Sequence, residues 1–155
     1  LCDLPYKHKI FIAGNHDDCM LDASLEGLPK DVHYLSDSGI TIDGISFYGA
    51  PMFVVFGGEE LKEVEHYEQI PDNTDILITH RPPLGILDSI DDHIHYGSSI
   101  LLDKISNIKP KMHLFGHVHS AYGTMDWKGV TFSNAGLTDW KYDIQYSPQL
   151  LEINI

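Results

Sequence analysis

The chain is poor in cysteine and in cations and has no long apolar run, and each shortage removes a class of protein. Two cysteines, Cys2 and Cys19, stand in 155 residues; they form no CxxC pair and no disulfide framework, which excludes a small stapled secreted fold and leaves reduced thiols and a cytoplasmic location as the expectation. Lys and Arg number 10 against 23 Asp and Glu, a formal charge of −13, with a pI near 4.9. So acidic a surface repels a phosphate backbone, whose neutralisation supplies most non-specific affinity for nucleic acid, so no nucleic-acid polymer is expected as a partner. The apolar stretches are all short and mean hydropathy is −0.14, so no membrane partner is expected either. Repeats, low-complexity tracts and linkers are missing as well, and residues 1–155 read as a single domain. No secretory leader pattern is present, and because Leu1 is not a natural initiator the chain is expected to be a fragment of a longer one.

Histidine is what the chain has in excess. There are 10, as many as Lys and Arg together. Apolar runs and turn residues set them in an alternating α/β pattern. Lys9 to Ala13 reads as a strand stopped by Gly14-Asn15, with Asp17 or Asp18 capping a helix that carries Met20, Leu21 and Leu25 and ends at Gly27 and Pro29. Ile40 to Ile42 and Ile45 to Phe47 flank Asp43-Gly44, a two-residue hairpin signal. Glu59 to Gln69 reads as a solvated amphipathic helix burying Leu61 and Val64. Asp75 to Thr79 is an apolar strand suited to burial on both faces, and the prolines of His80-Arg81-Pro82-Pro83 hold the following loop extended. A helix over Gly97 to Ile108, a strand at Met112 to Phe115, a hairpin turning near Lys128-Gly129 and a closing strand at Leu150 to Ile155 complete the reading.

Three of these segments run directly into a potential metal ligand: Ile12-Ala13 into Gly14-Asn15-His16, Ile78-Thr79 into His80, and Leu114-Phe115 into Gly116-His117-Val118-His119. In α/β sheets ligands bind beyond the carboxyl ends of strands, so three such ends can converge on one site. Gly14 and Gly116 permit the close backbone approach that convergence demands. His117 and His119, two apart in an extended segment, would project to one side and reach two adjacent metals. An amide carbonyl with imidazoles suits Mn, Fe, Ni or Zn better than Ca or Mg.

Gly14-Asn15-His16-Asp17, Thr79-His80-Arg81-Pro82-Pro83 and Gly116-His117-Val118-His119 resemble, in order, the third, fourth and fifth motifs of the calcineurin-like metallophosphoesterases. Asp37-Ser38, Tyr48-Gly49-Ala50-Pro51, Pro82-Pro83-Leu84-Gly85 and Tyr122-Gly123-Thr124-Met125 resemble the metallophosphoesterase-domain-containing branch, so the likeness covers nearly the full chain. The resemblance implies an α/β fold, a four-layer αββα sandwich, here lacking its N-terminal strands and helices. It implies a centre of two divalent metals that hydrolyses a phosphoester by attack of a metal-bound hydroxide, the substrate being a small phosphodiester such as a cyclic nucleotide. Carried over by motif, Asn15, His80 and His117 would ligate one metal, His119 the other, and His16 would be the catalytic residue that stabilises the transition state or protonates the leaving oxygen. Asp17 would hold His16 in register or cap a helix.

The family's first motif, Asp-x-His, and second, Gly-Asp-x-x-Asp, precede Gly-Asn-His and supply further ligands, including the bridging carboxylate. Neither precedes it here. Asp31-Val32-His33 and Asp91-Asp92-His93 spell Asp-x-His but follow Gly14-Asn15-His16, so they read as a strand entry and part of a mobile loop. His8, His33, His66, His93, His95 and His113 match no motif and read as structural or surface residues. Three readings compete: a phosphoesterase impaired by its missing ligands, a non-catalytic module that binds a metal or a partner protein, and a structural zinc site, the last weakened by the shortage of cysteine. Loss of neighbouring strands would leave an edge at Ile10 to Ile12, to be covered by a second copy or by a complementary chain.

Overall fold

The structure is a computed structural model that describes residues 1–20, 23–51, 60–91 and 93–153, with the backbone alone at 18 and 60–62. In chain order the elements are β1 (Lys9–Phe11), a 3-10 turn (Asp18–Met20), β2 (Val32–Tyr34), β3 (Ser38–Ile42), β4 (Ile45–Ala50), α1 (Glu60–Glu68), β5 (Ile76–Thr79), β6 (Ser89–Asp91) and β7 (Ile94–His95). They continue with α2 (Ser99–Ile108), β8 (Met112–Phe115), a 3-10 turn (His119–Ala121), β9 (Gly123–Trp127) and β10 (Val130–Asn134). Six strands form one sheet in the order β3-β4-β5-β8-β10-β9, while β1 with β2 (parallel) and β6 with β7 (antiparallel) form separate two-stranded sheets. The α/β class is as expected.

Period-two alternation decides what each face of the large sheet meets. Tyr48, Leu77, Phe115 and Phe132 lie on one face and pack with Tyr67 of α1 and Leu101 and Ile105 of α2 into the main core. Gly49, between Tyr48 and Ala50, faces the other way. A Cβ there would stand 2.4 Å from Leu35 Cβ and 2.8 Å from Ile12 Cγ2, so the missing side chain is what lets the β1-β2 sheet lie against β4. The layers are therefore helices, large sheet and small sheet; among the described residues no further α-helix covers the outer side of the small sheet.

β4, β5, β8 and β10 run parallel, and the registers Ala50 to Thr79 and Asn134 to Phe115 bring their carboxyl ends to one edge. Local chemistry fixes the connections. Asp43 (φ 50°) with Gly44 (φ 85°), and Lys128 (φ 50°) with Gly129 (φ 84°), hold the paired left-handed conformations of tight hairpins. Ser98 caps α2 by accepting the Leu101 N–H at 3.0 Å, and Lys109, left-handed at φ 49°, ends it ahead of Pro110.

Four expectations need correction. The strand from Lys9 stops at Phe11, because the chain must turn to deliver Gly14. The helix expected after Asp17 is a single 3-10 turn, its intended Leu21 lying outside the described residues. Residues 150–153 form no strand; the chain is held there by Gln149, which donates to the Asn134 carbonyl at 2.9 Å from outside the ladder. Asp91 and His93 flank the turn of the β6-β7 pair instead of lying in a loop, and the Asp91 carboxylate closes it by accepting the His93 and Ile94 N–H groups; Asp92 lies outside the described residues, as do Glu59 and the side chain of Leu61.

Candidate metal centre

Three loops meet at the carboxyl edge of the sheets. In the loop after β1, the Asp17 carboxylate accepts the Gly14 N–H at 2.7 Å, so Asp17 shapes the turn and neither orients His16 nor caps a helix. Gly14 is required by proximity: a Cβ would meet His80 Cε1 at 2.8 Å and Nδ1 at 2.9 Å. Asn15 then reaches across, its Oδ1 accepting from His80 Nε2 at 2.6 Å.

His80 follows β5 directly, and its carbonyl accepts the Gly116 N–H at 3.2 Å, tying the ends of β5 and β8. After β8 the chain does not stay extended, contrary to expectation. His117 has φ 70°, and Val118 N–H donates to Gly116 O at 2.8 Å, a three-residue turn of the rare strained kind. That turn sets the His117 ring 4.8 Å from His80, edge to face at 67°. His119 opens a 3-10 turn instead of repeating His117 along a strand, and its Nδ1–H donates to the Asp139 carbonyl at 2.9 Å. Fixing that tautomer leaves Nε2 free as a ligand atom.

Burial first, and then the neighbouring His117, push the His80 pKa down to about 4. Burial likewise lowers that of His117, with Arg81 and His119 adding to it. Both rings are thus neutral at pH 7, as a metal ligand must be, and for His80 Nε2 to bind an ion the proton it gives Asn15 would move to Nδ1. Two imidazoles and one amide oxygen converging in this way fit one borderline divalent ion, with His119 beside them. No group of three or more His, Cys, Asp or Glu side chains is poised to hold a metal among the described residues.

His16 stands at the rim, with the Tyr142 hydroxyl 3.3 Å from its Nε2. The Tyr142 ring is edge-on both to His16 (6.0 Å, 87°) and to His119 (5.6 Å, 79°). Tyr142 adopts φ 66°, held in a loop whose Lys141 and Asp143 N–H groups donate to Asp139 Oδ1 at 2.7 and 3.0 Å. Neither Asp139 nor Tyr142 follows from sequence reasoning: Asp139 carries an ordinary turn signal, and nothing in its spacing ties it to His16 or His119. A cavity of about 650 Å³ opens beside His117 and His119, walled by Ile90, Tyr96, Trp140 and Tyr146.

The remaining histidines stay out of this cluster. His33, on β2, lies against His8 at 5.8 Å; His66 faces Asp37 at 3.2 Å and His95 faces the buried Asp88 at 2.8 Å. His113, on β8 of the large sheet, is wholly buried.

Comparison with known proteins bears on the family and the fold. A family model described as calcineurin-like phosphoesterase matches residues 1–121. A Caenorhabditis elegans protein, UPF0046 protein K07C11.7, is 34% identical over 93% of this chain and 57% of its own length. Metallophosphoesterase domain-containing protein 1 of Homo sapiens is 31% identical over 99% of this chain and 57% of its own. The chain thus spans under two thirds of the length of these relatives. One solved crystal structure aligns at a TM-score of 0.50, with 20% identity, over 68% of this chain and 46% of its own, a likeness of fold alone. On the family match and on these relatives, the chain belongs to the calcineurin-like phosphoesterases.

Proposed function

We propose that the chain carries the distal half of a metal-dependent phosphoesterase centre acting on a small phosphodiester, with a cyclic nucleotide as the favoured candidate. The observation that supports this best is the meeting of Asn15 Oδ1, His80 Nε2 and the His117 ring at the ends of the parallel strands. Divalent ions bound there would offset charge on the phosphoryl oxygens and acidify a coordinated water. The chain's own residues do the rest. Asn15, His80 and His117 bind one ion, His119 belongs to the position of the second, and His16 presents an imidazole at the rim from which a proton can pass to the departing oxygen. The aromatic walls of the neighbouring cavity suit a flat organic substituent on the phosphate.

Because the ligand set holds no carboxylate, hydrolysis by the isolated chain is expected to be slow. The same observation supports a second reading, a module that binds a metal or a partner protein without turnover. Metal titration tests the shared core of both. His117→Ala should abolish stoichiometric Mn or Zn binding, while His33→Ala, on β2, should leave it intact. Equal losses from the two variants would sink the assignment. Hydrolysis of a nitrophenyl phosphodiester by the loaded wild type then separates catalyst from module.

A further inference from the structure

The least explained polar group in the core is His113. It is fully buried on the helix-facing side of β8, with its ring 4.8 Å from Phe115 and 5.8 Å from Phe132. Desolvation lowers its pKa to about 3, so it is a neutral ring at any working pH. Its Nδ1 has no hydrogen-bond partner among the described residues. An unsatisfied buried acceptor is a cost that a phenyl ring in the same slot would avoid.

What the imidazole adds is one bond. Its Nε2 lies 2.8 Å from Thr79 Oγ1, and that hydroxyl lies 2.6 Å from the Arg81 carbonyl. A carbonyl only accepts, so the Thr79 O–H donates to Arg81 O and its oxygen accepts from His113 Nε2–H, which fixes the tautomer. The chain His113, Thr79, Arg81 therefore straddles His80, pinning the residue before it to the residue after it. His80 O is held in turn by Gly116 N–H. His113 lies on β8 four residues before His117, so its bond to Thr79 ties the strand that leads to His117 to the end of β5 that carries His80.

We propose that His113 is a positioning residue for the metal centre, acting through Thr79 to fix the backbone on both sides of His80. The inference rests on the metal reading given above. Outer partners of this kind typically change metal affinity by about 10- to 100-fold when removed.

The test compares His113→Phe, Thr79→Val and Thr79→Ser, using Co2+ alone as the probe and following its visible absorption. His113→Phe and Thr79→Val should each weaken Co2+ binding by about 10-fold or more. Thr79→Ser, which keeps the hydroxyl, should bind as the wild type does. The melting temperature of His113→Phe should hold or rise, since an orphaned acceptor is removed; a residue that served the fold alone would show the opposite pattern, a lower melting temperature with unchanged affinity, and that result overturns the proposal. Should the wild type bind no Co2+, the metal reading fails, and positioning is judged in the metal-free chain. There the imidazole 15N shifts of His80, set by its 2.6 Å contact with Asn15, should move in His113→Phe and Thr79→Val but not in Thr79→Ser; unmoved shifts overturn it.

Discussion

His16 and His117 show how differently two histidines of one site are held. His117 is fixed by a strained turn and by the packed ring of His80, whereas His16 is exposed and meets the Tyr142 hydroxyl at the cleft rim. A ligand needs a fixed lone pair; a proton donor needs access to the departing oxygen. In a form of the protein that turns over, His16→Ala should therefore lower kcat by about 10² to 10⁴ while metal content stays nearly unchanged. The loss should shrink for a nitrophenolate leaving group, which needs less protonation. Metal analysis beside kcat measurement checks both, and parallel loss of metal and activity would make His16 a ligand. The residue types proposed as ligands were legible in the sequence because each stands where an apolar run breaks, at Gly14, after Thr79 and at Gly116. The strained turn at His117 was not, since a left-handed histidine is imposed by surroundings that no local spacing records.

At the scale of elements, the loop after β5 depends on α2. Ser98 caps the helix, its N–H donates to Pro82 O at 3.0 Å, and its carbonyl accepts Leu84 N–H at 2.9 Å. The helix start and the Pro82-Pro83 segment that follows His80 are thus one unit. Ser98→Ala should cost about 1 kcal/mol from the lost cap, visible as a lower melting temperature, with the backbone bonds to Pro82 and Leu84 retained. Both hairpins, both helices and the strands β5 and β8 could be read from turn residues and periodicity. The closing strand expected at Leu150 to Ile155 is missing over 150–153, where Leu150 is exposed and the chain is held instead by the Gln149 side chain on the Asn134 carbonyl; residues 154 and 155 lie outside the described chain. The helix over Met20 and Leu25 is replaced by a single 3-10 turn: of the two carboxylates read as its cap, Asp17 is taken by the Gly14 amide, and the side chain of Asp18 lies outside the described residues.

For the molecule as a whole, buried neutral histidines make stability depend on pH. His113 titrates at about 3 when folded against an ordinary value of 6.5, and His80 at about 4. Between those values and 6.5 the unfolded chain binds more protons than the folded one, so stability is full above about pH 6.5 and falls as the pH drops toward 4. Melting temperatures at pH 7.5 and 5 should show that fall, and His113→Phe should flatten it. Assembly is a second global property. Lys9 N–H and Phe11 O bond toward β2, so the polar groups of Ile10 face the open side of β1, and we propose that a second copy or a complementary chain covers it. Light scattering of the isolated chain should give a mass above 17.5 kDa; a stable monomer would remove the self-association half of that proposal. The two sheets also contribute unequally to the centre, Asn15 hanging from the small one while His80 and His117 belong to the large one, and the sheets meet where Gly49 lets Ile12 and Leu35 approach. An ion held by all three residues would act as a clasp between two separately built layers. Its grip would then be set by how closely those layers seat, and a single methyl wedged in at position 49, more than thirty residues from Asn15 and from His80 alike, would be enough to loosen it.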